Sequence, residues 1–263
     1  MLKSAIVRYT IYSASLIVLS EVAYQSFRAL KNCYNNWYKN HAQQGASWAV
    51  ILTNELTMSC PLNHRLNPNS RSAIATLQKI SIHEMKPMCS NPYCYESNVG
   101  LIEDLLNAAK YSIDVAMFMI TSVQISKALA RASLRGVTVR IITDTTNAFS
   151  PHSQVLYLLK FDNVSIRFNP KEDRKLFHHK FCILDSPSTI KYFLKRLNKL
   201  IAKKLEELEN ISSALMTGSM NFTIQGFTTN FENVLLTDQK EMIQQYSDEY
   251  QRLWELFAGS HKD

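Results

Sequence analysis

A histidine and a lysine, two positions apart, stand at the start of an apolar run. His178 and Lys180 lead into the stretch from Phe181 to Leu184, whose apolar residues predict a β-strand. Side chains alternate along a strand, so His178 and Lys180 share one face and His179 lies on the other. An imidazole can attack phosphorus or donate a proton while an ammonium holds a phosphoryl oxygen. The pair predicts chemistry on an anion, although a lone histidine on a strand is more often structural.

A second set of polar side chains follows another apolar run, at 211–216. Gly218 lets the backbone approach a ligand closely. Ser219 and Asn221 alternate onto one face, where a hydroxyl and an amide can bind phosphate oxygens. Glu232 opens the next predicted strand, and its carboxylate can accept the N–H of an imidazole and fix the tautomer of that ring. The two sets together predict a phosphate-binding site.

The elements that carry these residues alternate between helix and strand. Apolar periodicity predicts strands at 48–53, 112–118, 137–143 and 164–168, and helices at 99–109, 123–134, 153–161 and 240–257. Strands separated by such helices indicate βαβ units. The sequence therefore predicts an α/β fold with a mixed β-sheet flanked by helices on both faces.

One further helix interrupts this rhythm. Apolar residues three or four apart predict an amphipathic helix from Ile190 to Leu208, whose other face is rich in lysine and arginine. We interpret it as a solvated surface helix. A basic rail for RNA or anionic lipid is the alternative interpretation.

The N-terminus differs in composition from the rest of the chain. Residues 9–20 carry no charge, Glu21 interrupts the apolar stretch, and basic residues flank it on both sides. The 19 residues of 9–27 just reach the length of a membrane span, which is about 20 residues. We predict a single-pass membrane anchor within residues 1–39, followed at 40–56 by a linker and the first strand. A cleaved secretory signal and a soluble amphipathic helix are the alternatives.

Composition supports a folded chain with an anionic partner. Apolar residues make up 46% of the 263 residues and charged residues 19%, which excludes a wholly disordered chain. The formal net charge of +7 suits nucleic acid or an acidic membrane. Five cysteines is an odd number in a chain too large to need disulfides, so we expect a reducing compartment.

Four soft metal ligands occur in two short pairs between the first strand and the first helix. They are Cys60 with His64, and Cys89 with Cys94. Such a set can bind tetrahedral zinc, but from spacing alone reduced, unpaired thiols are an equal alternative. His83 is a rival fourth ligand.

The whole pattern resembles the HKD signature of the phospholipase D superfamily. It consists of His178-x-Lys180, Asp185 five positions beyond the lysine, Gly-Ser219-x-Asn221, and Glu232 eleven positions beyond the asparagine. The resemblance covers about 97–257. The single motif copy, the predicted anchor and the cysteine-bearing insert are similar to the mitochondrial (Zucchini-type) branch of that superfamily. One departure is that Asp185 and Gly218 are separated by a helical insertion, 186–211, which a loop between two strands can accept at little cost.

This resemblance implies a phospholipase D/nuclease-like fold, with a catalytic domain at 98–258 and a small zinc-finger insert at 57–97. It implies a homodimer through the HKD face, because two histidines are needed and one chain supplies one. It assigns the nucleophile or acid to His178, phosphate contacts to Lys180 and Asn221, a hydrogen bond to Ser219 and imidazole orientation to Glu232. Asp185 reads as a structural residue at a strand end. One structural Zn²⁺ per chain and no catalytic metal are expected.

The function implied is cleavage of single-stranded RNA, with piRNA precursors in germ cells as substrate and 5′-phosphate ends as product. The chain would act at the mitochondrial outer membrane, with its catalytic domain facing the cytosol. Basic residues before the motif, Lys171, Arg174 and Lys175, could line an RNA groove or serve solubility alone. Hydrolysis of cardiolipin to phosphatidic acid is the first alternative. A non-catalytic scaffold that binds RNA or tethers membranes is the second.

Overall fold

The computed structural model describes residues 20–33, 46–60, 82, 89–170, 175–196 and 211–259. It separates residues 1–45 from residues 46–263. In the first unit, residues 20–33 form helix α1, whose side chains are exposed. Within the described ranges, no helix has both the length and the apolar content needed to cross a membrane. Residues 9–19 of the predicted anchor lie outside the described residues.

The second unit contains seven described strands and seven described helices. The strands are β1 (Trp48–Thr53), β2 (Ser112–Met117), β3 (Thr138–Thr143), β4 (Val164–Phe168), β5 (Lys180–Leu184), β6 (Ala214–Gly218) and β7 (Glu232–Thr237). The helices are α2 (Tyr95–Ala108), α3 (Val123–Leu134), α4 (Thr145–Ala148), α5 (Val155–Leu158), α6 (Pro187–Arg196), α7 (Ile224–Thr228) and α8 (Lys240–Leu256).

The strands form one mixed sheet in the order β1-β7-β6-β5-β2-β3-β4. β2, β3 and β4 are parallel, and their crossover connections contain α3, α4 and α5. Every other neighbouring pair is antiparallel. The predicted mixed α/β sheet is confirmed.

Apolar side chains cover both faces of this sheet. On one face α2, α3, α5 and α7 pack against strand residues such as Val115 and Ile141. On the other face α8 contributes Tyr250 and Trp254, which pack with Phe181 and other strand residues. The prediction of helices on both faces is therefore also confirmed.

Local sequence explains where several elements begin and end. Ser122 caps α3, its hydroxyl accepting the Ile125 N–H at 3.4 Å. Gly136, with φ of 88°, follows the helix and ends it in the left-handed region. Asp144 caps α4, because its side-chain carboxylate accepts the backbone N–H groups of Thr146 and Asn147.

The boundaries of several helices differ from the predictions. The helix expected at 99–109 begins four residues earlier, at Tyr95. The helix expected at 153–161 is one turn, Val155–Leu158, and neither α4 nor α7 was predicted. The helix expected from Ile190 begins earlier, at Pro187, because proline suits the first helical position. It is described as far as Arg196, and residues 197–208 of the prediction lie outside the described residues.

Candidate active site and cysteine cluster

Most of the predicted site residues meet at one edge of the sheet. β6 runs antiparallel to both β5 and β7, so its last residue, Gly218, lies beside the beginnings of its two neighbours. Lys180 begins β5 and Glu232 begins β7. Ser219 and Asn221 follow directly after β6. The topology therefore brings two distant sequence motifs to the same edge.

His178 and Lys180 lie on the same side of their segment. The His178 ring is exposed, and its centroid is 4.8 Å from that of Phe118. The Lys180 Nζ donates to the His178 carbonyl oxygen at 2.9 Å and lies 5.2 Å from the Phe118 ring centroid. Burial lowers the pKa of Lys180, and the charge of Glu232 offsets part of that change. A phosphate oxygen would be a better partner for this ammonium than a backbone carbonyl.

His179 points to the opposite side, as the predicted alternation requires. Its ring contacts Phe177 and Phe181, at centroid distances of 5.4 and 5.5 Å. Both phenylalanines belong to the core under α8. Burial lowers the pKa of His179. The residue itself is exposed, so its ring lies at the border of that core.

Glu232 forms hydrogen bonds with two nearby side chains. Its carboxylate accepts hydrogen bonds from the Ser219 hydroxyl and, at 3.0 Å, from the Asn230 side-chain amide. The Ser219 oxygen in turn accepts the Asn233 N–H at 3.1 Å. No hydrogen bond joins Glu232 to His178 of the same chain in the described part of the structure. The carboxylate oxygens retain lone pairs for an imidazole from elsewhere.

The Asn221 amide is oriented by a residue that sequence reasoning missed. The Met119 N–H donates to Asn221 Oδ1 at 3.3 Å, which leaves the amide N–H groups to face a ligand. Met119 and Phe118 both follow β2, the strand paired with β5. Only that pairing would have indicated that the end of β2 reaches this edge.

Strand packing requires Gly218, a reason that the sequence interpretation did not include. A Cβ at this position would lie 2.0 Å from the Asn233 carbonyl oxygen. The space beside Gly218 is therefore filled by the backbone of β7. Glycine is needed here because any side chain would push β6 and β7 apart.

Asp185 is not brought to this edge. It follows the far end of β5, about 17 Å from Lys180 at roughly 3.4 Å per strand residue. Its buried carboxylate accepts the backbone N–H groups of Lys110, Tyr111 and Ser112 at 2.9, 2.7 and 2.9 Å. Burial raises the pKa of Asp185, and these amide bonds offset part of that change. Its contacts are those of a residue that fixes the turn into β2.

The structure describes three of the four predicted metal ligands, and these three lie close together. The Sγ atoms of Cys60, Cys89 and Cys94 are all within 4.8 Å of one another. Cys60 reaches the others because Met58 pairs with the backbone on both sides of Cys94. These three thiols can hold a metal ion. His64 and its rival His83 lie outside the described residues.

Asn91 provides two N–H donors to sulfur atoms of this cluster. Asn91 donates its backbone N–H to Cys89 Sγ at 3.4 Å and its side-chain amide to Cys60 Sγ at 3.3 Å. Such donors stabilise metal-bound thiolates. Cys182 is instead fully buried in the sheet core, as predicted, and burial raises its pKa. None of the five cysteines forms a disulfide.

The basic approach to the site is described only in part. Lys175 is exposed, three residues before His178, and its carbonyl oxygen accepts the Asn169 side-chain amide at 3.1 Å. Lys171 and Arg174 lie outside the described residues. The edge thus presents an exposed imidazole, the Lys180 ammonium, an amide and a hydroxyl–carboxylate pair. This set can bind and attack a phosphodiester.

Comparison with known proteins agrees with this geometry. Residues 102–254 match the family model described as "Cardiolipin synthase, PLD-like domain". The mitochondrial cardiolipin hydrolase of Drosophila melanogaster is 31% identical over 210 residues, which cover 80% of this chain and 76% of that protein. The human mitochondrial cardiolipin hydrolase is 31% identical over 169 residues, 64% of this chain. This chain spans about half (55%) of the length of that human relative.

Solved structures of lower identity also align. The phospholipase D family member Nuc from Salmonella typhimurium is 18% identical and gives a TM-score of 0.46. The alignment covers 83% of this chain and 98% of Nuc.

Proposed function

Because this chain belongs to the phospholipase D superfamily and is a phosphodiesterase of that superfamily, we propose that it is an endonuclease for single-stranded RNA. The observation that carries the proposal is the gathering of His178, Lys180, Ser219, Asn221 and Glu232 at one sheet edge. The exposed Lys175, three residues before His178, and the net charge of +7 favour a polyanion as substrate.

The proposed reaction uses two copies of the chain. His178 of one subunit attacks phosphorus and forms a phosphohistidine, while the partner's His178 protonates the leaving oxygen. Water then attacks the phosphohistidine, the partner imidazole takes a proton from that water, and a 5′-phosphate is released. Two-fold symmetry places the same surface of each subunit at the dimer interface. No catalytic metal takes part in this scheme.

The other residues support this phosphoryl transfer. Lys180 and Asn221 donate hydrogen bonds to the phosphoryl oxygens as negative charge develops there. Glu232, whose contacts in its own chain are with Ser219 and Asn230, accepts the N–H of the partner's imidazole. A carboxylate in that position fixes the tautomer and favours the imidazolium.

We propose that the cysteine cluster holds a structural zinc ion. Tetrahedral zinc with sulfur ligands at about 2.3 Å places those sulfurs about 3.8 Å apart, which the observed grouping allows. Cys60, Cys89 and Cys94 supply three ligands, and His64 is proposed as the fourth. Replacing Cys89 by serine should lower the zinc content of the purified protein and its yield of folded chain. Unchanged zinc stoichiometry would reject the assignment.

We also propose a location and a biological substrate. The relatives are named as mitochondrial proteins. The apolar N-terminal segment is proposed to anchor this chain in the mitochondrial outer membrane, with the catalytic domain in the cytosol. The RNA would then be piRNA precursors in germ cells.

The second candidate substrate is cardiolipin, hydrolysed to phosphatidic acid. Leu176, two residues before His178, is 69% exposed, which suits contact with an acyl chain or a membrane surface. The names of the relatives point to the same lipid. Both substrates would use the same His178.

One experiment separates the two substrates. The full chain is incubated with labelled single-stranded RNA and, separately, with cardiolipin vesicles, and the His178→Asn variant is the matched control. We expect the wild-type chain to cut RNA to fragments with 5′-phosphate ends and the variant to cut neither substrate. Release of phosphatidic acid without RNA cleavage would replace the first candidate by the second. RNA cleavage retained in the variant would remove the assignment of this site.

A further inference from the structure

Phe118 directly follows β2 and is tied to the segment that carries His178. Its backbone N–H donates to the His179 carbonyl oxygen at 2.9 Å, which continues the pairing of β2 with β5 by one residue. The chain bends at Phe118, and the side chain is half-buried. Strand alternation from Ala116 would place Phe118 on the face under α8, but its ring is found beside His178 and Lys180. The bend therefore redirects an aromatic ring toward the site.

The ring contacts both residues of the HKD pair. Its centroid is 4.8 Å from that of the His178 imidazole, with the planes tilted by 56°. The Lys180 Nζ lies 5.2 Å from the same centroid, within the range of a cation–π interaction. One side chain outside the sequence motif thus touches the nucleophile and the ammonium beside it.

Within its own chain, His178 has little else to restrain its imidazole. The residue is exposed, and no hydrogen bond to its ring is found among the described residues of the chain. An exposed side chain of this kind loses rotamer entropy when it is held for reaction, and a small misplacement of a reacting group costs rate. Packing against a ring that is fixed by the β2–β5 pairing reduces that cost.

We propose that Phe118 is a positioning residue: it restrains the His178 imidazole and holds the Lys180 ammonium next to it before substrate binds. The proposal rests on the proposed use of His178 as the nucleophile of this site. Phe118 makes no bond to the substrate phosphorus. Its effect is on how often the two groups are in place when the phosphodiester arrives.

The proposal predicts a loss of kcat without a matching loss of affinity. Phe118→Leu fills much of the same space but lacks the aromatic ring, so it removes the contact with both partners. We expect kcat to fall by about 10- to 100-fold with KM changed less than about twofold. Phe118→Tyr keeps the ring, and we expect it to recover most of the wild-type kcat.

The test uses the full chain with bis(p-nitrophenyl) phosphate, a small diester that does not depend on whether RNA or lipid is the natural substrate. Phe227→Leu is the matched control, because Phe227 is a buried core phenylalanine on α7. A kcat loss in Phe118→Leu that is absent from Phe227→Leu and restored in Phe118→Tyr supports the proposal. An equal loss in both leucine variants, or no recovery with tyrosine, overturns it.

A second measurement keeps the proposal separate from the proposed function. The His178 ring resonances of histidine-labelled protein, assigned with His178→Asn, report the ring contact without any turnover. We expect them to move in Phe118→Leu toward those of an unconstrained peptide histidine and to stay in place in Phe227→Leu. Unchanged resonances in Phe118→Leu overturn the positioning role. Loss of the proposed function alone would appear as equal diester hydrolysis by the wild type and His178→Asn.

Discussion

Two polar clusters on the same sheet differ in how fully their members are bonded. On the face under α8, Arg140 Nε donates to Asp114 Oδ1 at 2.7 Å. Gln251 accepts from the same guanidinium at 2.9 Å, and the Thr189 hydroxyl bonds Asp114 at 2.6 Å. At the sheet edge, in contrast, His178 is exposed and makes a ring contact. The first cluster is satisfied within the chain, and the second presents its groups to something else.

The pKa values of the two buried or half-buried cations are shifted in opposite directions. Burial disfavours the charged form of Arg140, but the carboxylate of Asp114 outweighs this and raises the pKa of Arg140. Burial also disfavours charged Lys180, and the weaker influence of Glu232 leaves its pKa lowered. The Arg140 guanidinium additionally lies over the rings of Tyr250 and Trp254, at 4.9 and 5.1 Å. Among the described residues Lys180 has no ion pair, so its ammonium is suited to bind an anionic substrate. Arg140 has one, and that pair stabilises the fold.

The largest expected effect is on activity at the exposed cluster. His178→Asn should lower the cleavage rate by at least about 10⁴-fold, because a residue that forms a covalent intermediate has no substitute. The melting temperature and the dimer mass should not change, since the side chain is exposed. His179→Asn, one residue away on the opposite side of the segment, is the control and should keep the rate within a few-fold. A similar rate loss in both variants would contradict the prediction that only His178 takes part in the reaction.

The next effect is on stability at the buried cluster. Arg140→Met should lower the free energy of unfolding by about 3–5 kcal/mol, because it leaves the Asp114 carboxylate buried without its cation. Urea unfolding measures this change. Arg131→Ala, which breaks the exposed pair with Glu103, should cost less than about 1 kcal/mol. Similar losses in the two variants would show that burial of the Arg140 pair does not increase its contribution to the free energy of unfolding.

The smallest expected effect is a shift in the pH dependence of kcat/KM at the exposed cluster. Because the pKa of Lys180 is lowered, its ammonium loses its proton at a lower pH than the ordinary lysine value of 10.5. The alkaline decrease of kcat/KM should therefore have its midpoint below that value. Lys180→Arg keeps a charge throughout and should remove this decrease, at some cost in rate. An alkaline decrease that persists unchanged in Lys180→Arg would assign it to another group.

The sequence predicted the regular parts of the fold well because their signals are local. The strand at 48–53, the helix at 123–134 and the strand at 164–168 match the structure in both bounds. Apolar periodicity and a stopping glycine are both read within a few residues. One-turn helices such as α4 carry too few residues to show a period, which explains why they were missed.

The candidate site was predicted in residue type but not in geometry. Spacing indicated His178, Lys180, Ser219, Asn221 and Glu232, and the structure brings all of them to one edge. Their hydrogen bonds within the chain were not predicted. Glu232 bonds Ser219 rather than an imidazole of its own chain, and the glycine before Ser219 accommodates a neighbouring strand.

The sequence by itself determined which side chains share a face, because alternation along a strand is a property of the backbone. It therefore separated His179 from His178 and Lys180 correctly. Only the tertiary structure decided which strands are neighbours, since the order β6-β5-β2 joins segments about 100 residues apart. Phe118 and Met119 reached the site through that order, and Asp114 met Arg140 across β2 and β3 in the same way. Contacts across strands depend on pairing, and no local pattern of residues encodes a partner that lies far along the chain.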